Sequence, residues 1–431
     1  MQSADTIFAL SSGAPPAAIA IIRISGGEAF AVVKALAGRL PPPRRASLAT
    51  IKHPVHHESL DQALVLIFPG PDSATGEDLA ELHLHGGRAV VRAVEDAISG
   101  LNGLRRAEPG EFTRRAFENG RIDLNEAEGL GDLLAAETEW QRRAANKMFG
   151  GSFSRAVEHW RQDVLRLSAL TEAELDFSDE SDVDPQNNIN ITDACSRLSE
   201  EMRRLVSGPS TEKLKDGFRV VLAGPPNVGK STLLNALVGR DAAIVSDIAG
   251  TTRDVIDVPV ALEGVAIVFT DTAGLRDSTQ DVIEKIGIER SHAALTEADI
   301  ILWLGEEGSG PVHPYVIEVA PKCDSNDCAR KSAQAVHVSA VTGEGLGDLM
   351  NRVLGITRQL LPLPDQFAIN ARQREHIADC SDHLATCGAI NDWLIIAENL
   401  RQARRSLDAL TGRAHTEELL DTLFGKFCVG K

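Results

Sequence analysis

An apolar run, "FRVVLAG", passes into the glycine-bearing stretch "GPPNVGKS", Gly224 to Ser231, and then directly into the helix-forming "TLLNALVG". A strand that turns through such a loop into a helix aims backbone N–H groups and the positive end of the helix at one place, and phosphate is the ligand that suits it. The same register brings Lys230 to the β- and γ-phosphates and gives Ser231 a hydroxyl for magnesium. A merely structural glycine turn is the bland alternative, and the strand and helix flanks weigh against it.

The segments downstream mark a switch rather than a generic ATPase. "GTTRD", Gly250 to Asp254, offers a threonine for magnesium, and "FTDTAG" ends an apolar strand with Asp271 and Gly274 placed to sense the γ-phosphate. "SAVTGEGL", from Ser339, resembles the loop that backs guanine in G domains. The expected nucleotide contacts are therefore Asn227, Val228, Gly229, Lys230, Ser231 and Thr232 in the loop, and Ser246, Asp247, Ile248, Ala249, Gly250, Thr251 and Thr252 in the first switch. Asp271, Thr272, Ala273 and Gly274 belong to the second, with Lys322, Asp324, Ser339 and Ala340 at the base.

Three departures accompany this pattern. G domains read guanine with N-K-x-D, and "VIEVAPKCD" has Pro321 in place of the asparagine, which predicts weakened guanine selection through Asp324. The strands "DIILWL" and "YVIEVA" are joined only by "GEEGSGPVHP", short for a parallel crossover, so one peripheral helix is expected to be missing. Leu275 stands where Ras-type sites carry a water-orienting glutamine. Asn227 and the carbonyls of "SDIAGTT" suit a monovalent cation that would supply positive charge in the manner of an arginine finger.

The chain has 431 residues, too many for one ordinary core, and its texture changes along its length. Residues 1–118 alternate short apolar runs with helix-like stretches, 119–215 turn helical, 216–361 alternate strands and helices as parallel α/β sheets do, and 362–431 return to helix. The order suggests an α/β domain inserted into a helical one. Six cysteines without a C-x-x-C pair suggest neither zinc nor a disulfide framework. A formal net charge of −18 argues against a protein that coats nucleic acid. A start without a basic n-region and the lack of any membrane-length apolar run make the chain read as cytoplasmic.

The blocks "IIRISG", "FPGPDSATGEDLAELHLHGG", "AEPGEFTRRAFENGRIDLNEAE", "GPPNVGKSTLLNAL", "DTAGLRD", "EKIGIERS" and the terminal "FCVGK" together resemble the MnmE (TrmE) family of tRNA modification GTPases over nearly the whole chain. The resemblance implies a multidomain protein with an α+β N-terminal domain that binds tetrahydrofolate and dimerises, an α-helical central domain and an inserted α/β P-loop G domain. It implies a homodimer that works with the flavoprotein MnmG (GidA), which carries FAD. Together they add an aminomethyl or carboxymethylaminomethyl group to C5 of the wobble uridine of certain tRNAs.

Carried over by position, magnesium falls to Ser231 and Thr252, and potassium to Asn227, Ser246, Ile248 and Thr251. Glu284 matches the water-orienting glutamate, one residue out of register from DTAG. A one-carbon folate, 5,10-methylenetetrahydrofolate or 5-formyltetrahydrofolate, falls to Arg23, Glu81, Arg121 and Lys431, with Cys428 of the tail in the same pocket as a catalytic candidate.

Other features have blander readings. The acidic run Asp176 to Asp184 lacks the glycine and spacing of a calcium loop, and the histidines of "HPVHH" and "HLHGG" lack a partner cluster for zinc. "GEFTRRAF" could touch RNA or open a helix between domains, and Arg253 and Arg276 suit structural pairing. Two rival functions compete with the modifying GTPase. A ribosome-binding assembly GTPase would normally carry a basic RNA-binding domain, and a scaffold with a degenerate G domain would not need Lys230, Ser231, Thr252 and Asp271.

Overall fold

The protein is described by a computed structural model that covers residues 5–176, 190–208, 211–241, 256–271, 294–325, 331–361, 367–414 and 417–431. The chain divides into two compact units. One is built from Met1–Gly131, Phe149–Gln162 and Arg405–Lys431, the other from Asp132–Met148 and Asp163–Arg404.

The chain opens with β1 (Thr6–Leu10), β2 (Ile19–Ser25), α1 (Ala29–Ala37), β3 (Ser47–Lys52), β4 (Ser59–Phe68), β5 (Leu79–His85), α2 (Arg88–Ser99) and β6 (Leu104–Arg106). The strands form one sheet in the order β3-β4-β5-β2-β1-β6, antiparallel except for the β1–β6 pair. Strand side chains alternate between faces. Ile22 and Ile24 of β2 and Leu82 and Leu84 of β5 therefore share a core with Val33 and Leu36 of α1 and Val94 and Ile98 of α2. Arg23, Glu81 and His83 fall on the face away from those helices. Ile19, Leu48 and Leu64 share that face and are exposed.

Helices come next: α3 (Glu111–Glu118), α4 (Leu124–Ala135), α5 (Glu139–Phe149), α6 (Ser152–Asp176), α7 (Ile191–Val206) and α8 (Thr211–Asp216). The start of α4 is fixed reciprocally, Asp123 accepting from the Glu126 N–H and Glu126 from the Asp123 N–H, both at 2.9 Å.

The second sheet comprises β7 (Phe218–Ala223), β8 (Ile256–Leu262), β9 (Val265–Asp271), β10 (Ile300–Trp303), β11 (Val316–Ala320) and β12 (Val336–His337), with α9 (Lys230–Asp241) between β7 and β8 and α10 (Leu346–Leu360) after β12. The order is β12-β11-β10-β7-β9-β8, parallel throughout except for β8. Strands buried on both faces read as near-continuous apolar runs, as β7 and β10 do. Val220, Leu222 and Phe269 pack with Leu233 and Leu237 of α9 and Leu349 and Val353 of α10. On the opposite face Val221, Ala223 and Ile301 meet Trp303 and Val316.

The β10–β11 connection carries no helix. Residues 304–315 run as a loop folded over the Trp303 ring, which is 3.1 Å from where a Cβ on Gly310 would lie. The Trp303 Nε1–H donates to the Glu306 carbonyl at 2.8 Å. Lys331, almost fully buried, donates to the Trp303 carbonyl at 2.8 Å and pairs with Glu318 at 2.5 Å. The helix is missing as the short connection predicts, and a tryptophan and a partly buried ion pair hold the loop in its stead.

The chain ends with α11 (Ala371–Ala389), α12 (Trp393–Thr411) and α13 (Glu417–Phe424). Helix α7 precedes the second sheet and α11 comes after it, and the two pack together. The Ser199 hydroxyl donates to the Ser381 carbonyl at 2.8 Å and the Ser381 hydroxyl to the Ser199 carbonyl at 3.0 Å. Cys195, Cys380 and Cys387 are buried. Burial pushes the Cys380 thiol up to about 12, which keeps it protonated and unreactive. Among the described residues no helix is long and apolar enough to cross a membrane, and no cluster of His, Cys, Asp or Glu could hold a metal.

Candidate functional site

The phosphate loop leaves the sheet at the C-terminal end of β7, where parallel sheets bind their ligands. Gly224 begins it, and a side chain there would press on the backbone of Leu304 and Gly305 at the end of β10. Asn227 has φ +61, a left-handed conformation that asparagine tolerates better than most residues. Its exposed side chain makes no hydrogen bond to the described residues. Gly229, at φ +102, delivers the chain into α9. Val228 is half-buried beside it, and Thr232 is exposed on the first turn.

Lys230 is buried, its ammonium donating to the carbonyls of Gly224 at 3.0 Å and Pro225 at 2.8 Å. The lysine therefore closes the loop on itself and holds its charge at the loop's mouth. The Ser231 hydroxyl donates to the carboxylate of Asp271, which is itself buried at the end of β9. A hydroxyl and a carboxylate so placed are hard oxygen donors of the type magnesium takes. Ser246, Asp247, Ile248, Ala249, Gly250, Thr251, Thr252, Thr272, Ala273, Gly274 and Glu284 lie outside the described residues, as do Arg253, Arg276 and most of the acidic run.

The base-side residues sit on two loops that touch. The Cys323 N–H donates to the Val338 carbonyl at 3.1 Å, and the Val338 N–H to the Ala320 carbonyl at 2.9 Å. Lys322 has φ +62 and carries its Cε to within 3.9 Å of where a Gly229 Cβ would lie, so its aliphatic arm runs beside the phosphate loop. Pro321 is buried and offers no side-chain donor, and Asp324 is exposed. Ser339 is fully buried, its hydroxyl accepting from the N–H groups of Val341 and Thr342 at 3.2 and 3.0 Å. That turn leaves the Ala340 N–H without a partner among the described residues.

The first unit holds the other group of candidates. Arg23 and Glu81 are direct partners across β2 and β5, Nε and Nη2 both donating to Oε1 at 3.1 and 2.9 Å. Burial pushes the Glu81 carboxyl up, but hydrogen bonding from His83 and the charge and hydrogen bond of Arg23 outweigh it and hold the carboxyl below its usual range. Phe112 lies under the guanidinium, ring centroid 5.8 Å from Cζ.

The C-terminal tail docks on the same unit. Phe427 packs with Phe424, Leu420, Leu124 and Ala127, and Val429 forms a bridge with Pro109. The Gly110 N–H donates to the Cys428 carbonyl at 3.4 Å, two residues before Phe112. Gly430 has φ +93 and lies against Leu10 and Ser11 at the end of β1. Cys428 is exposed and Lys431 half-buried. Arg121 makes a separate contact, its guanidinium 3.7 Å from Asp72 and its Cγ against Gly76.

Residue patterns alone had not singled out His83, whose Nε2 lies 3.1 Å from Glu81 Oε2. Its one signal was the spacing in "ELH", since residues two apart on a strand share a face. The neighbouring His85 pairs with Asp61 at 2.7 Å. Both arginines of "GEFTRRAF" are engaged: Arg114 with Glu118, Glu417 and Asp421, and the buried Arg115 with Asp5, Glu77 and Glu111. The helix-opening reading of that segment accounts for them.

Residues 6–121 match the family model described as the GTP-binding protein TrmE N-terminus, and residues 124–428 match that of the MnmE helical domain. A protein of Novosphingobium aromaticivorans named tRNA modification GTPase MnmE is 54% identical over 435 residues, covering 99% of this chain and 100% of that protein. One of the same name from Erythrobacter litoralis is 54% identical over 427 residues, covering 99% and 100%. The solved G domain of the T. maritima FeoB iron transporter is 25% identical and covers 32% of this chain and 98% of its own, with a TM-score of 0.24 that is too low to bear on the fold.

Proposed function

The chain belongs to the MnmE family of tRNA modification GTPases, and from that premise we propose that it is a potassium-dependent GTPase that, with a flavoprotein partner of the MnmG kind, modifies C5 of the wobble uridine of certain tRNAs with a one-carbon tetrahydrofolate. The product carries an aminomethyl or carboxymethylaminomethyl group. As a family member the chain hydrolyses GTP, and GTP and magnesium belong to that activity.

On the nucleotide side, Lys230 and the N–H groups of the loop hold the β- and γ-phosphates, while Ser231 and Asp271 face the magnesium position. Thr252 would complete that set. Asn227, with Ser246, Ile248 and Thr251, would hold potassium, and Glu284 would orient the attacking water. Asn227, in the same loop as Lys230 and without a side-chain hydrogen bond among the described residues, supports the potassium reading, since an amide oxygen there would lie where charge develops on the transferred phosphoryl group. Base selection would rest on Asp324, accepting from the guanine N–H edge, and on the Ala340 N–H, which has no partner among the described residues and would donate to the guanine carbonyl. Pro321 contributes nothing polar, which is the basis for a reduced preference for guanine.

The observation that carries the modifying half is the docked tail, with exposed Cys428 bound through its carbonyl to Gly110, two residues before the Phe112 whose ring lies under the Arg23 guanidinium. The donor set fits a folate: Arg23 and Lys431 suit its carboxylates or pterin carbonyl, and Glu81 suits its N–H groups. Bound there, the folate would supply the one-carbon unit. Glu81 and Arg23 would orient it, and Arg121 would add positive charge at the 69–78 loop. Exposed Ile19, Leu48 and Leu64 on that sheet face support dimerisation through the N-terminal domain. A tRNA substrate supports a cytoplasmic location.

Reconstitution tests the whole reading. Purified chain, flavoprotein partner, GTP, potassium, 5,10-methylenetetrahydrofolate, a nitrogen donor and unmodified tRNA should yield a C5-substituted wobble uridine by mass spectrometry of nucleosides. Product formed equally well without folate or without this chain would overturn the proposal.

A further inference from the structure

Glu81 is gripped from two sides. Arg23 gives both of its donors to one oxygen, Oε1, and His83 lies at 3.1 Å from the other, Oε2. A carboxylate offers only lone pairs, so the His83 nitrogen that faces it carries a proton whether the ring is neutral or cationic. Two donors occupy Oε1, whereas Oε2 receives one and keeps an acceptor direction free. The surroundings make this orientation matter. The register neighbours of His83 are Ile21 on β2 and Leu64 on β4, and that of Glu81 on β4 is Leu66. No water-like partner among them could substitute for the imidazole. The titratable groups on the strands around His83 are Arg23, Glu81 and the mutually paired Asp61 and His85; Cys428 and Lys431 lie on the tail that reaches the end of β1.

We propose that His83 is a positioning residue of the folate site, holding the Glu81 carboxylate so that Oε2 stays available as acceptor for the amino and lactam N–H edge of a reduced pterin. The inference rests on the folate reading above and goes beyond it by naming the residue that keeps the acceptor oriented. With Arg23 held on Oε1 and the imidazole N–H on Oε2, the carboxylate cannot rotate without losing a donor, and the free acceptor direction of Oε2 is kept for the ligand.

The test is titration of the full-length protein with 5-formyltetrahydrofolate by calorimetry, for the wild type, H83A, H83Q and E81Q, with circular dichroism to confirm folding. At pH 7.5 H83A should bind about five- to tenfold more weakly, and H83Q, which keeps a neutral donor, within about twofold of wild type. If E81Q loses affinity but H83A binds like wild type, or H83Q binds as weakly as H83A, the role of His83 is refuted and the folate reading stands. If E81Q itself binds like wild type, the folate reading fails and this inference with it.

Discussion

Gly430 is the position at which the tail's docking can be broken with the least chemistry. Its φ of +93 disfavours any side chain, and a Cβ there would overlap the Leu10 carbonyl oxygen and lie 2.9 Å from both the Leu10 carbonyl carbon and the Ser11 Cα. Those are backbone atoms of a strand end and cannot swing away. The left-handed conformation costs about 1–2 kcal/mol for an alanine, and the overlap adds about 1–3 kcal/mol. Against this total stands what holds the last residues once Phe427 is seated: the Val429–Pro109 bridge, of which the long Gly110 to Cys428 hydrogen bond is part. The bonds of such a bridge contribute about 1–3 kcal/mol at most.

The penalty matches or exceeds the holding energy, so G430A should release residues 428–431 and leave Phe427 packed. Because release relieves the clash, the global loss is capped near the holding energy and the melting temperature should fall by only a few degrees. Binding of 5-formyltetrahydrofolate and tRNA modification should fall at least tenfold, while GTP hydrolysis by the isolated chain stays within twofold. V429A, at a half-exposed side chain, is the control and should behave like wild type. Wild-type folate affinity and modification in G430A would refute the reasoning.

Individual residues carry further predictions. D324N should weaken GDP binding by about 3 kcal/mol or more, since one charge-assisted acceptor is lost and an amide N–H meets the guanine 2-amino group; xanthosine diphosphate should bind the variant better than GDP does, and unchanged GDP affinity would remove Asp324 from the base site. C428S separates a reactive thiol from a lining residue: loss of modification with intact folate binding makes the thiol part of the reaction, and full activity excludes it. Asp123 supplies a third prediction. Burial raises its carboxyl above the usual range, so the ionised form is disfavoured in the folded state at neutral pH and the penalty disappears as the pH falls and the group protonates. D123N, which keeps the capping acceptor, should melt at or above the wild-type temperature at pH 7, with the gap closing towards pH 4. A gap that widens on acidification would contradict that sign.

What the sequence disclosed and what it withheld divide by range. The phosphate loop is local: strand, turn and helix are contiguous, and Lys230 and Ser231 are set by offsets of a few residues. The missing helix between β10 and β11 was legible by counting, but not what replaced it, because Trp303, Glu318 and Lys331 meet only when three separate segments pack. The Arg23–Glu81 pair joins residues far apart in the chain and depends on strand register, which no local pattern reveals. Family resemblance supplied both names, and His83 went unnoticed because its partner is visible only once the face of β5 is known. Likewise the "GEFTRRAF" arginines could not be told from an RNA contact until their acidic partners, drawn from both ends of the chain, were in place.

The central claim is that this G domain, trimmed of a crossover helix and lacking the guanine-reading asparagine, is still driven by a cation held at Asn227. The direct test is hydrolysis of GTP and of ATP by the purified chain in potassium and in sodium chloride at equal ionic strength. The account predicts fast turnover of GTP in potassium alone, with a preference over ATP that is present but well short of many thousandfold. Equal, slow turnover in both salts would contradict the cation site, and a preference of many thousandfold would contradict the weakened reading of the base.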